Sequence, residues 1–313
     1  MKLGFIGLGR MGQGMARNLS KSGVDLLLFD INPAVIANFR QDGVKSANSV
    51  AELARRCDVV FTSLPGPAEV REVALGHDGV VANFEAGKTL FDLSTNSLSL
   101  VREIEIKCRQ RGAFMLDAPV SGGPAGAASG DLVVWAGGDR ATYEKHVDVL
   151  KLFAKVPRYV GSIGAGTVTK LAHNMLGYML LLAQAEVFSL AKKAGVDALD
   201  LWEAFRFGVV GKQSPLDMLV NQFLPGKYDT PAFALKLAHK DVSLATSLAR
   251  ELGVPMRLAN MTMEEMTEAL GRGFGDWDSR AYLQLQLERA GVKIAIEPAR
   301  LQAALERTAK PRT

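Results

Sequence analysis

The first half of the chain consists of short apolar runs separated by amphipathic stretches. Apolar runs bounded by Gly, Pro, Asn or Asp predict buried strands, and apolar positions three and four apart predict helices. The predicted strands are residues 2–7, 24–30, 44–47, 58–64, 89–93, 114–117, 132–136 and 158–160, and the helical patterns are 15–19, 50–56, 98–111 and 141–153. Because strands alternate with helices, we expect a doubly wound α/β domain with a parallel sheet.

The second half contains helical patterns only. They cover residues 168–194, 197–207, 215–223, 233–252, 255–271 and 278–290. The longest is apolar on all sides, which is typical of a helix buried between two packed layers. We therefore divide the chain into an α/β domain over residues 1–163, an all-α domain over 164–290, and an extension over 291–313 without an assigned role. Residues 298–308 of the extension are predicted to form one more helix.

Composition narrows the class of protein. The chain has 313 residues, of which 48% are hydrophobic and 22% charged, as expected for a globular protein with two ordinary domains. The net charge of +4, with one short basic cluster at Lys310 and Arg312, does not indicate a nucleic-acid partner. Two distant cysteines and four histidines without ligand spacing predict a reducing compartment and no metal site.

The N-terminus and the apolar runs indicate the cellular compartment of the protein. Met1 and Lys2 lead directly into the first predicted strand, without the pattern of a signal or transit peptide. The apolar run at residues 175–185 is too short and too interrupted to span a bilayer. We therefore expect a cytoplasmic protein without a membrane partner.

A glycine-rich turn joins the first predicted strand to the first predicted helix. It reads Gly7-Leu8-Gly9-Arg10-Met11-Gly12, the G-x-G-x-x-G fingerprint of dinucleotide binding in its strand–turn–helix context. The first glycine makes the tight turn, the second lets backbone N–H groups reach a pyrophosphate, and the third packs the helix on the strand. The helix N-terminus then favours the phosphates. These six residues are predicted to contact a dinucleotide.

The second strand ends at Asp30, about twenty residues after the glycines, at the distance typical of an acid that binds the ribose. Its carboxylate can accept hydrogen bonds from both ribose hydroxyls of NAD and would repel a 2′-phosphate. Ile31 and Asn32 follow, so that no adjacent arginine is available to hold the phosphate. NAD is therefore predicted in preference to NADP.

Two further strand ends carry candidate cofactor contacts. In a doubly wound sheet, ligands bind beyond the carboxyl ends of the strands. Leu64-Pro65 and Ser94-Thr95 stand at such ends, and we take Leu64, Pro65 and Thr95 as the candidates. The alternative is that these residues only turn the chain or cap helices.

A predicted strand at residues 114–117 runs into Ser121-Gly122-Gly123. The backbone N–H groups of two successive glycines can form a nest for an anion, and a hydroxyl adds one more donor. We therefore predict a carboxylate site here, against the alternative of a plain loop. The following small residues, 124–130, are expected to be flexible.

Gly164 and Gly166 open the long helical pattern, whose first turns carry Lys170, His173 and Asn174. Spacings of three and four place these three side chains on one helical face. A cation, an imidazole and an amide beside glycines that permit close approach can form a reaction site. A solvated polar face is the alternative.

A later polar pair is less informative. Lys240 and Asp241 interrupt an apolar stripe that starts at Phe233. Lys240 either projects toward the cofactor or is a surface charge, and the pattern leaves both possibilities open.

Four motifs, in this order, resemble the β-hydroxyacid dehydrogenase family, which includes 3-hydroxyisobutyrate dehydrogenase and tartronate semialdehyde reductase. The resemblance covers residues 1 to about 288. The motifs are Gly7-x-Gly9-x-Met11-Gly12-x-x-Met15-Ala16-x-Asn18-Leu19, Asp117-x-Pro119-Val120-Ser121-Gly122-Gly123, Gly164-x-Gly166-x-x-x-Lys170-x-x-x-Asn174, and Phe233 to Lys240-Asp241.

The resemblance implies a role for each matching residue. Lys170 would be the catalytic acid–base and Asn174 would hold the substrate, whose carboxylate Ser121, Gly122 and Gly123 would bind. Lys240 would lie near the nicotinamide, and Leu64, Pro65 and Thr95 would contact the dinucleotide. The implied fold is a Rossmann domain followed by an all-helical domain for substrate binding and dimerisation. The implied assembly is a homodimer or homotetramer.

The sequence departs from the family pattern at His173, where an asparagine is common. Lys-x-x-His-Asn with Tyr178 is closer to the decarboxylating 6-phosphogluconate dehydrogenases. Those enzymes, however, carry a glutamate where this chain has Gly177. A 6-phosphogluconate-type reaction therefore stays an alternative, for which Arg206 and Lys212 could bind a phosphate.

Two other classes share this architecture. An imine reductase usually lacks the lysine, and a non-catalytic dinucleotide-binding scaffold would have lost Lys170 or Asn174, whereas both are present here. The expected reaction is therefore hydride transfer between NAD and a small β-hydroxy acid, with 3-hydroxyisobutyrate as the leading substrate. The residues that discriminate among substrates are expected at 205–217 and around Phe233, and the pattern does not indicate which of them face the pocket. Serine, glycerate, 4-hydroxybutyrate and 3-sulfolactate therefore stay open.

Overall fold

The structure is a computed structural model that describes residues 1–41 and 43–308. The chain forms two compact units, Met1–Leu176 and Gly177–Thr313. The basic cluster at Lys310 and Arg312 lies outside the described residues. The predicted domain limits at residues 163 and 290 stay predictions.

The first unit alternates strands and helices. Its strands are β1 (Leu3–Ile6), β2 (Leu26–Phe29), β3 (Lys45–Ser46), β4 (Val59–Thr62), β5 (Thr89–Asp92), β6 (Phe114–Asp117), β7 (Val120–Ser121), β8 (Val133–Gly138) and β9 (Val156–Gly161). Its helices are α1 (Gly12–Lys21), α2 (Pro33–Gln41), α3 (Val50–Arg56), α4 (Pro67–Leu75), α5 (Leu98–Gln110), α6 (Gly123–Ser129) and α7 (Arg140–Leu150). The sequence pattern missed α2 and α4, each of nine residues.

Among the described residues, nine strands form one sheet in the order β3-β2-β1-β4-β5-β6-β8-β7, with β9 beside β8. The strands from β3 to β6 are parallel to their neighbours. In contrast to the predicted parallel sheet, β8 runs antiparallel to β6 and β7. The predicted α/β fold is confirmed, and the carboxyl ends of β1, β4, β5 and β6 lie along one edge.

The sheet has a hydrophobic core on each face. Leu3 and Phe5 contribute to one core and Ile6 to the other, because successive strand side chains point to opposite faces. β4 shows the same division, with Phe61 in the first core and Val60 in the second. Burial on both faces explains why these strands read as continuous apolar runs.

The segment after Gly123 differs from the prediction of a flexible stretch. It forms α6, which packs against α1 at the small residues Gly14 and Ala127. The side-chain amide of Asn18 donates to the carbonyl oxygen of Ala127 at 2.9 Å. Small residues allow the two helices to approach closely, and this contact orders the segment.

The long helix α8 (Ala165–Lys193) begins in the first unit and ends in the second. Contrary to the expectation of a buried helix, its apolar side chains are largely exposed in the described chain, Tyr178 to 71%. By length and composition α8 could cross a membrane, which the shorter run 175–185 did not suggest, but the core helix of a soluble protein meets the same criterion. Among the described residues, this apolar surface of α8 is therefore open to solvent.

The second unit continues with helices. They are α9 (Ala198–Phe207), α10 (Val209–Lys212), α11 (Leu235–Glu251), α12 (Arg257–Gly271), α13 (Leu283–Arg289) and α14 (Pro298–Thr308). Its cores are small, and one contains Leu235, Met266 and Leu285. Glu186 of α8 accepts hydrogen bonds from the N–H groups of Leu258 and Ala259 at the start of α12.

One predicted helix is wrong and one is confirmed. Residues 215–223 form only a single 3₁₀ turn, Asp217–Leu219. The carboxylate of Asp217 accepts the N–H of Ser214 at 3.1 Å, and such local bonds favour turns over an α-helix. The helix predicted at residues 298–308 is present as α14.

Candidate active site

The glycine fingerprint lies between β1 and α1, in the predicted strand–turn–helix context. Gly7 has φ 91° and its N–H donates to the carbonyl oxygen of Phe29 at 3.0 Å. A Cβ atom on Gly12 would collide with the carbonyl oxygen of Gly7, so no larger residue fits at the start of α1. The first-turn N–H groups of α1 have no acidic residue beside them, which suits a bound phosphate.

A cavity of about 500 Å³ opens at this turn. The predicted cofactor residues that line it are Gly7, Gly9, Arg10, Met11, Gly12, Asp30, Leu64 and Pro65. Leu8 and Thr95 do not line it: the Leu8 side chain belongs to the core and Thr95 is exposed. Other lining residues were not predicted from the sequence, among them Ile31, Ser63, Glu69 and Glu72.

Asp30 stands at the end of β2 and organises the turn. One carboxylate oxygen accepts the N–H of Leu8 at 2.6 Å, and the other accepts the N–H of Asn32 at 2.8 Å. The carboxylate is half-buried, and the adjacent Ile31 is exposed. Because each oxygen has a further lone pair, the carboxylate can still accept a ribose hydroxyl.

Asp92, at the end of β5, supports the part of the cavity rim that follows β4, at Ser63, Leu64 and Pro65. Its Oδ1 accepts the hydroxyl of Thr62 at 2.9 Å and the N–H of Ser94 at 3.1 Å. Its Oδ2 accepts the side-chain amide of Asn96 at 3.0 Å. The hydroxyl of Ser94 in turn accepts the N–H of Leu64 at 3.0 Å. Burial raises the pKa of the Asp92 carboxyl, against these donors, which lower it.

Ser121 ends β7, Gly122 follows it, and Gly123 begins α6. Gly122 has φ 134° and Gly123 has φ 64°, values that favour glycine. Both glycines are exposed and Ser121 is half-buried. Their N–H groups and the Ser121 hydroxyl are accessible donors, the chemistry required of a carboxylate site.

Lys170 lies on α8, and its side chain reaches the same segment. Its Nζ donates to the carbonyl oxygen of Val120, the residue before Ser121, at 2.8 Å. The side chain is half-buried, and this desolvation lowers the pKa of Lys170. The sequence motifs at residues 121–123 and at residue 170 are therefore brought together in one place.

His173 and Asn174 follow Lys170 on the same helical face, as predicted. The Nδ1 atom of His173 is 3.3 Å from the Oδ1 atom of Asn174. The His173 ring packs on Trp135 of β8 with ring centroids 5.0 Å apart. This aromatic contact holds the polar face of α8 against β8.

Lys240 lies on α11 in the second unit. Its Nζ pairs with the carboxylate of Asp241 at 2.9 Å, and both side chains are largely exposed. Arg206 is, with Lys212, a candidate phosphate ligand for a 6-phosphogluconate-type reaction. Its guanidinium stacks over the ring of Trp202 at 4.8 Å. The predicted place of Lys240 near the nicotinamide stays a prediction.

Four residues that contribute to the site were not predicted from the sequence. The carbonyl oxygen of Val120 has no sequence signal, because it is a backbone atom. Trp135 sits in a predicted strand, but a contact with residue 173 depends on the tertiary fold. Asp92 and Asp117 did carry a signal, since each is an acid at the carboxyl end of an apolar strand.

The residues present fit a dinucleotide. The cavity combines a glycine turn, a helix N-terminus free of acids in its first turn, a carboxylate suited to a ribose and the cation of Arg10. Apolar side chains such as Leu64 and Val73 complete the lining. This is the mixture of a few directed polar groups and an apolar wall that nucleotide sites use.

Comparisons with known proteins agree with this arrangement. The family model described as the NAD binding domain of 6-phosphogluconate dehydrogenase matches residues 2–164. The family model described as NAD-binding of NADP-dependent 3-hydroxyisobutyrate dehydrogenase matches residues 164–286. The two matched segments meet at Gly164, the first residue of the helical domain predicted from the sequence.

Individual relatives span nearly the whole chain. A 2-(hydroxymethyl)glutarate dehydrogenase from Eubacterium barkeri is 31% identical over 299 residues, covering 94% of this chain and 98% of the relative. The solved 3-hydroxyisobutyrate dehydrogenase of Mycobacterium tuberculosis with L-serine is 28% identical at a TM-score of 0.63, covering 91% and 98%. An imine reductase variant from Myxococcus stipitatus with NAD+ reaches a TM-score of 0.81 at 20% identity, covering 90% and 98%, which shows a shared fold alone.

The glycine turn with its cavity, the lysine beside the Ser-Gly-Gly segment and these matches point to one family, and they confirm the resemblance stated from the four motifs. The chain belongs to the β-hydroxyacid dehydrogenase family and is an NAD(P)-dependent hydroxyacid dehydrogenase.

Proposed function

We propose that the protein oxidises a small β-hydroxy acid of the 3-hydroxyisobutyrate type with NAD, using Lys170 as the general acid–base. One observation carries this proposal: the half-buried Lys170 amine lies on the carbonyl of Val120, directly before the Ser121-Gly122-Gly123 donors. A base beside a carboxylate site suits a substrate that carries its hydroxyl close to its carboxylate, as a β-hydroxy acid does. The relatives named as dehydrogenases of hydroxy acids support the substrate class.

The role of the donors is to bind and orient. The N–H groups of Gly122 and Gly123, with the Ser121 hydroxyl, would hold the substrate carboxylate. The Asn174 amide would hydrogen-bond the β-hydroxyl, and it lies one helical turn beyond Lys170. Two fixed ends orient the β-carbon, which makes hydride transfer effectively unimolecular.

The role of Lys170 is to move one proton. The neutral amine would take the hydroxyl proton as the C–H bond breaks and the C=O bond forms, and the lysine then carries the positive charge. When bound, the nicotinamide accepts the hydride with its electron pair. In the direction of reduction, the ammonium of Lys170 would return its proton to the developing alkoxide. Partial burial favours the neutral amine and so suits it to act as a base.

The preference for NAD over NADP rests on Asp30. A carboxylate at the cavity wall would repel a 2′-phosphate, while it can accept ribose hydroxyls. Ile31, which follows, offers no positive charge. Arg10 also lines the cavity and would be free to pair with the pyrophosphate.

We further propose that the protein is a homo-oligomer assembled through α8. Met175, Tyr178 and Leu182 are exposed at spacings of three and four, and therefore form one apolar stripe on this helix. Exposed stripes of this kind mark interfaces. A second copy of the chain offers an equally apolar stripe, which favours self-association.

A 6-phosphogluconate-type decarboxylation is the second candidate, because His173 stands where that class carries histidine. The contact of His173 with Trp135 and Asn174 supports a role for the imidazole close to the substrate. Gly177 in place of the acid needed after decarboxylation argues against this candidate.

The test is a panel of acids assayed with NAD and with NADP and ranked by kcat/KM. It contains 3-hydroxyisobutyrate, serine, glycerate, 4-hydroxybutyrate, 3-sulfolactate and 6-phosphogluconate. The proposal expects a three- or four-carbon β-hydroxy acid with NAD to rank first, without release of carbon dioxide. Carbon dioxide from 6-phosphogluconate would favour the second candidate, and a clear preference for NADP would overturn the role of Asp30.

A further inference from the structure

Two buried aspartates end neighbouring parallel strands of the sheet. Asp92 ends β5 and Asp117 ends β6, and the two residues are register partners. Each side chain is 1% exposed. A buried carboxylate is costly unless hydrogen-bond donors surround it, so the donors around each aspartate identify what that aspartate holds.

Asp117 holds the beginning of α8. Its Oδ1 accepts the N–H of Gly164 at 2.7 Å, and its Oδ2 accepts the N–H of Thr167 at 2.6 Å. The first N–H groups of a helix lack partners within the helix, and a negative charge there is stabilised by the helix dipole. Lys170 follows Thr167 within one helical turn, so that the place of Lys170 depends on this bond pair.

The contact between the first turn of α8 and the ends of β6 and β8 is tightly packed. A Cβ atom on Gly166 would collide with the carbonyl oxygens of Trp135 and Asp117. A Cβ atom on Gly137 would come within 2.6 Å of the Asp117 carboxylate. The first turn of α8 therefore packs directly against the ends of β6 and β8, with no room for a Cβ atom at Gly166.

The segment that follows Asp117 also provides the acceptor for the lysine. Val120, three residues after Asp117, accepts the Nζ atom of Lys170 at 2.8 Å. Residues 121–123 continue from it as the candidate carboxylate site. One end of the segment thus fixes α8 and the other end receives the lysine.

Asp92 has a different set of donors. They are Thr62, Ser94 and Asn96, which belong to the ends of β4 and β5 and to the loop after β5. Among the described residues, the hydrogen bonds of Asp92 do not include α8. Asp92 therefore holds the rim of the dinucleotide cavity and provides a matched control for Asp117.

We propose that Asp117 is a positioning residue that places Lys170 against the Val120 carbonyl and beside the substrate carboxylate site. It acts through the first turn of α8 and does not touch the reacting atoms. This inference rests on the proposed function, in which Lys170 is the general acid–base.

The main variant is Asp117→Asn. The amide has the shape of the carboxylate but only one acceptor oxygen, so that its NH₂ group faces one of the two N–H donors. We expect kcat to fall about tenfold or more, a loss of about 1.4 kcal/mol or more in transition-state stabilisation. The dissociation constant for NAD should stay within about twofold, because the glycine turn is untouched. With Lys170 less desolvated, the pH at which kcat reaches its plateau should move upward.

A second variant, Thr167→Pro, removes the hydrogen bond between residues 117 and 167 by changing the donor instead of the acceptor. Proline lacks the N–H and is tolerated in the first turn of a helix, so this change keeps the carboxylate of Asp117 and deletes one donor. The same upward shift of the pH profile is expected. It tests the inference independently if Asp117→Asn does not fold, as judged by circular dichroism.

Asp92→Asn provides the control on the neighbouring strand. Its expected effect is a weaker dissociation constant for NAD, with the pH profile of kcat unchanged. A general loss of stability would not weaken NAD binding in one variant while it shifts the pH profile of kcat in the other. Opposite patterns in the two variants therefore separate positioning of the lysine from support of the sheet.

The outcomes are distinguishable from those that concern the proposed function. If Lys170→Ala is inactive but folded Asp117→Asn and Thr167→Pro keep the wild-type pH profile, Asp117 does not position Lys170, even if kcat falls. If Lys170→Ala retains near-normal turnover, the proposed function itself fails. A parallel pH shift in both variants, with NAD binding intact, is the result expected from the inference.

Discussion

The side-chain nitrogen of Lys170 lies 2.8 Å from the carbonyl oxygen of Val120, at the start of the Ser121-Gly122-Gly123 segment. The two residues come from a helix and a strand end that are 50 positions apart in the chain. Their contact joins a partly desolvated amine to a group of anion-binding donors. The chemistry proposed for this protein depends on that juxtaposition.

Replacement of Lys170 is the first prediction. Lys170→Ala should lower kcat for oxidation by roughly 10²–10⁴-fold, the usual contribution of a general base. Lys170→Arg keeps the charge but cannot lose its proton, and should be as inactive. Binding of NAD, measured by fluorescence titration, should be unchanged in both variants. An active arginine variant would mean that residue 170 supplies charge and not a base.

The pH profile is the second prediction. Because burial lowers the pKa of Lys170, its neutral form is present at a lower pH than in a free lysine. The rate of oxidation should rise with pH as Lys170 loses its proton, and the rate of reduction should fall with pH for the same reason. Both rates are measured at saturating substrate across pH 6–10. Profiles that do not mirror each other would contradict the assignment.

Cofactor choice is the third prediction. Asp30→Ser removes the charge that would repel a 2′-phosphate but keeps an acceptor for the N–H of Leu8. The ratio of kcat/KM for NADP to that for NAD should rise roughly 10- to 100-fold, equivalent to about 1.4–2.8 kcal/mol. Asp25→Ser, at the exposed start of the same strand segment, is the control and should leave the ratio unchanged. An unaltered ratio in Asp30→Ser would show that another group selects the cofactor.

Assembly is the fourth prediction. Leu182→Glu places a charge in the exposed apolar stripe of α8 and should weaken self-association by tenfold or more, since an unpaired charge buried in an apolar interface is costly. Sedimentation velocity at several protein concentrations measures the effect. Gln184→Glu adds the same charge at an exposed polar position of the same helix and serves as the control. Equal dissociation in both variants, or a wild-type monomer, would rule out the stripe as the interface.

Acid stability is the fifth prediction. His146 is 2% exposed, its Nε2 lies 3.4 Å from the Thr89 hydroxyl, and among the described residues its Nδ1 has no hydrogen-bond partner. Burial, with a smaller contribution from Lys145, lowers the pKa of His146, so that the folded state holds the neutral ring. The unfolded chain takes up a proton below a pH of about 6.5, and the folded chain resists it. Stability is therefore complete above that pH and declines as the pH falls toward the lowered pKa.

The variant His146→Gln removes this titration and should flatten the decline between pH 7 and pH 5, by up to about 1.4 kcal/mol for each pH unit. The thermal midpoint at several pH values measures it. His77→Gln is the control, because its side chain is 98% exposed and should not affect the slope. If His77→Gln and His146→Gln behave alike, the buried ring is not the source of the acid sensitivity.

The periodicity of the sequence predicted most of the fold. The runs at residues 2–7 and 58–64 became β1 and β4, because buried parallel strands need apolar side chains on both faces. The pattern failed where local hydrogen bonds outweighed it, as at Asp217, and where small residues packed instead of bending freely, as in α6. The direction of β8 also lay outside the pattern, because strand direction depends on the connection and not on side-chain alternation.

The candidate site likewise has features that the sequence predicted and features that it did not. The glycine turn, the acid at residue 30 and the polar face of α8 were legible from the sequence, because each depends on residue type and local spacing. The carbonyl of Val120, the ring of Trp135 and the cap provided by Asp117 were not, because they are contacts between distant segments. The exposure of α8 was also unexpected, since an apolar helix reads the same whether its own chain or a second copy covers it.

By itself, therefore, the sequence determined the family, the dinucleotide turn and the presence of a lysine, a histidine and an amide on one helical face. These features follow from residue identity at short range. Only the tertiary structure decided that Lys170 is half-buried and meets the segment before Ser121, and that a buried carboxylate on the neighbouring strand end fixes its helix. Desolvation and long-range hydrogen bonds are properties of the packed chain, and the role proposed for the lysine as a base rests on them.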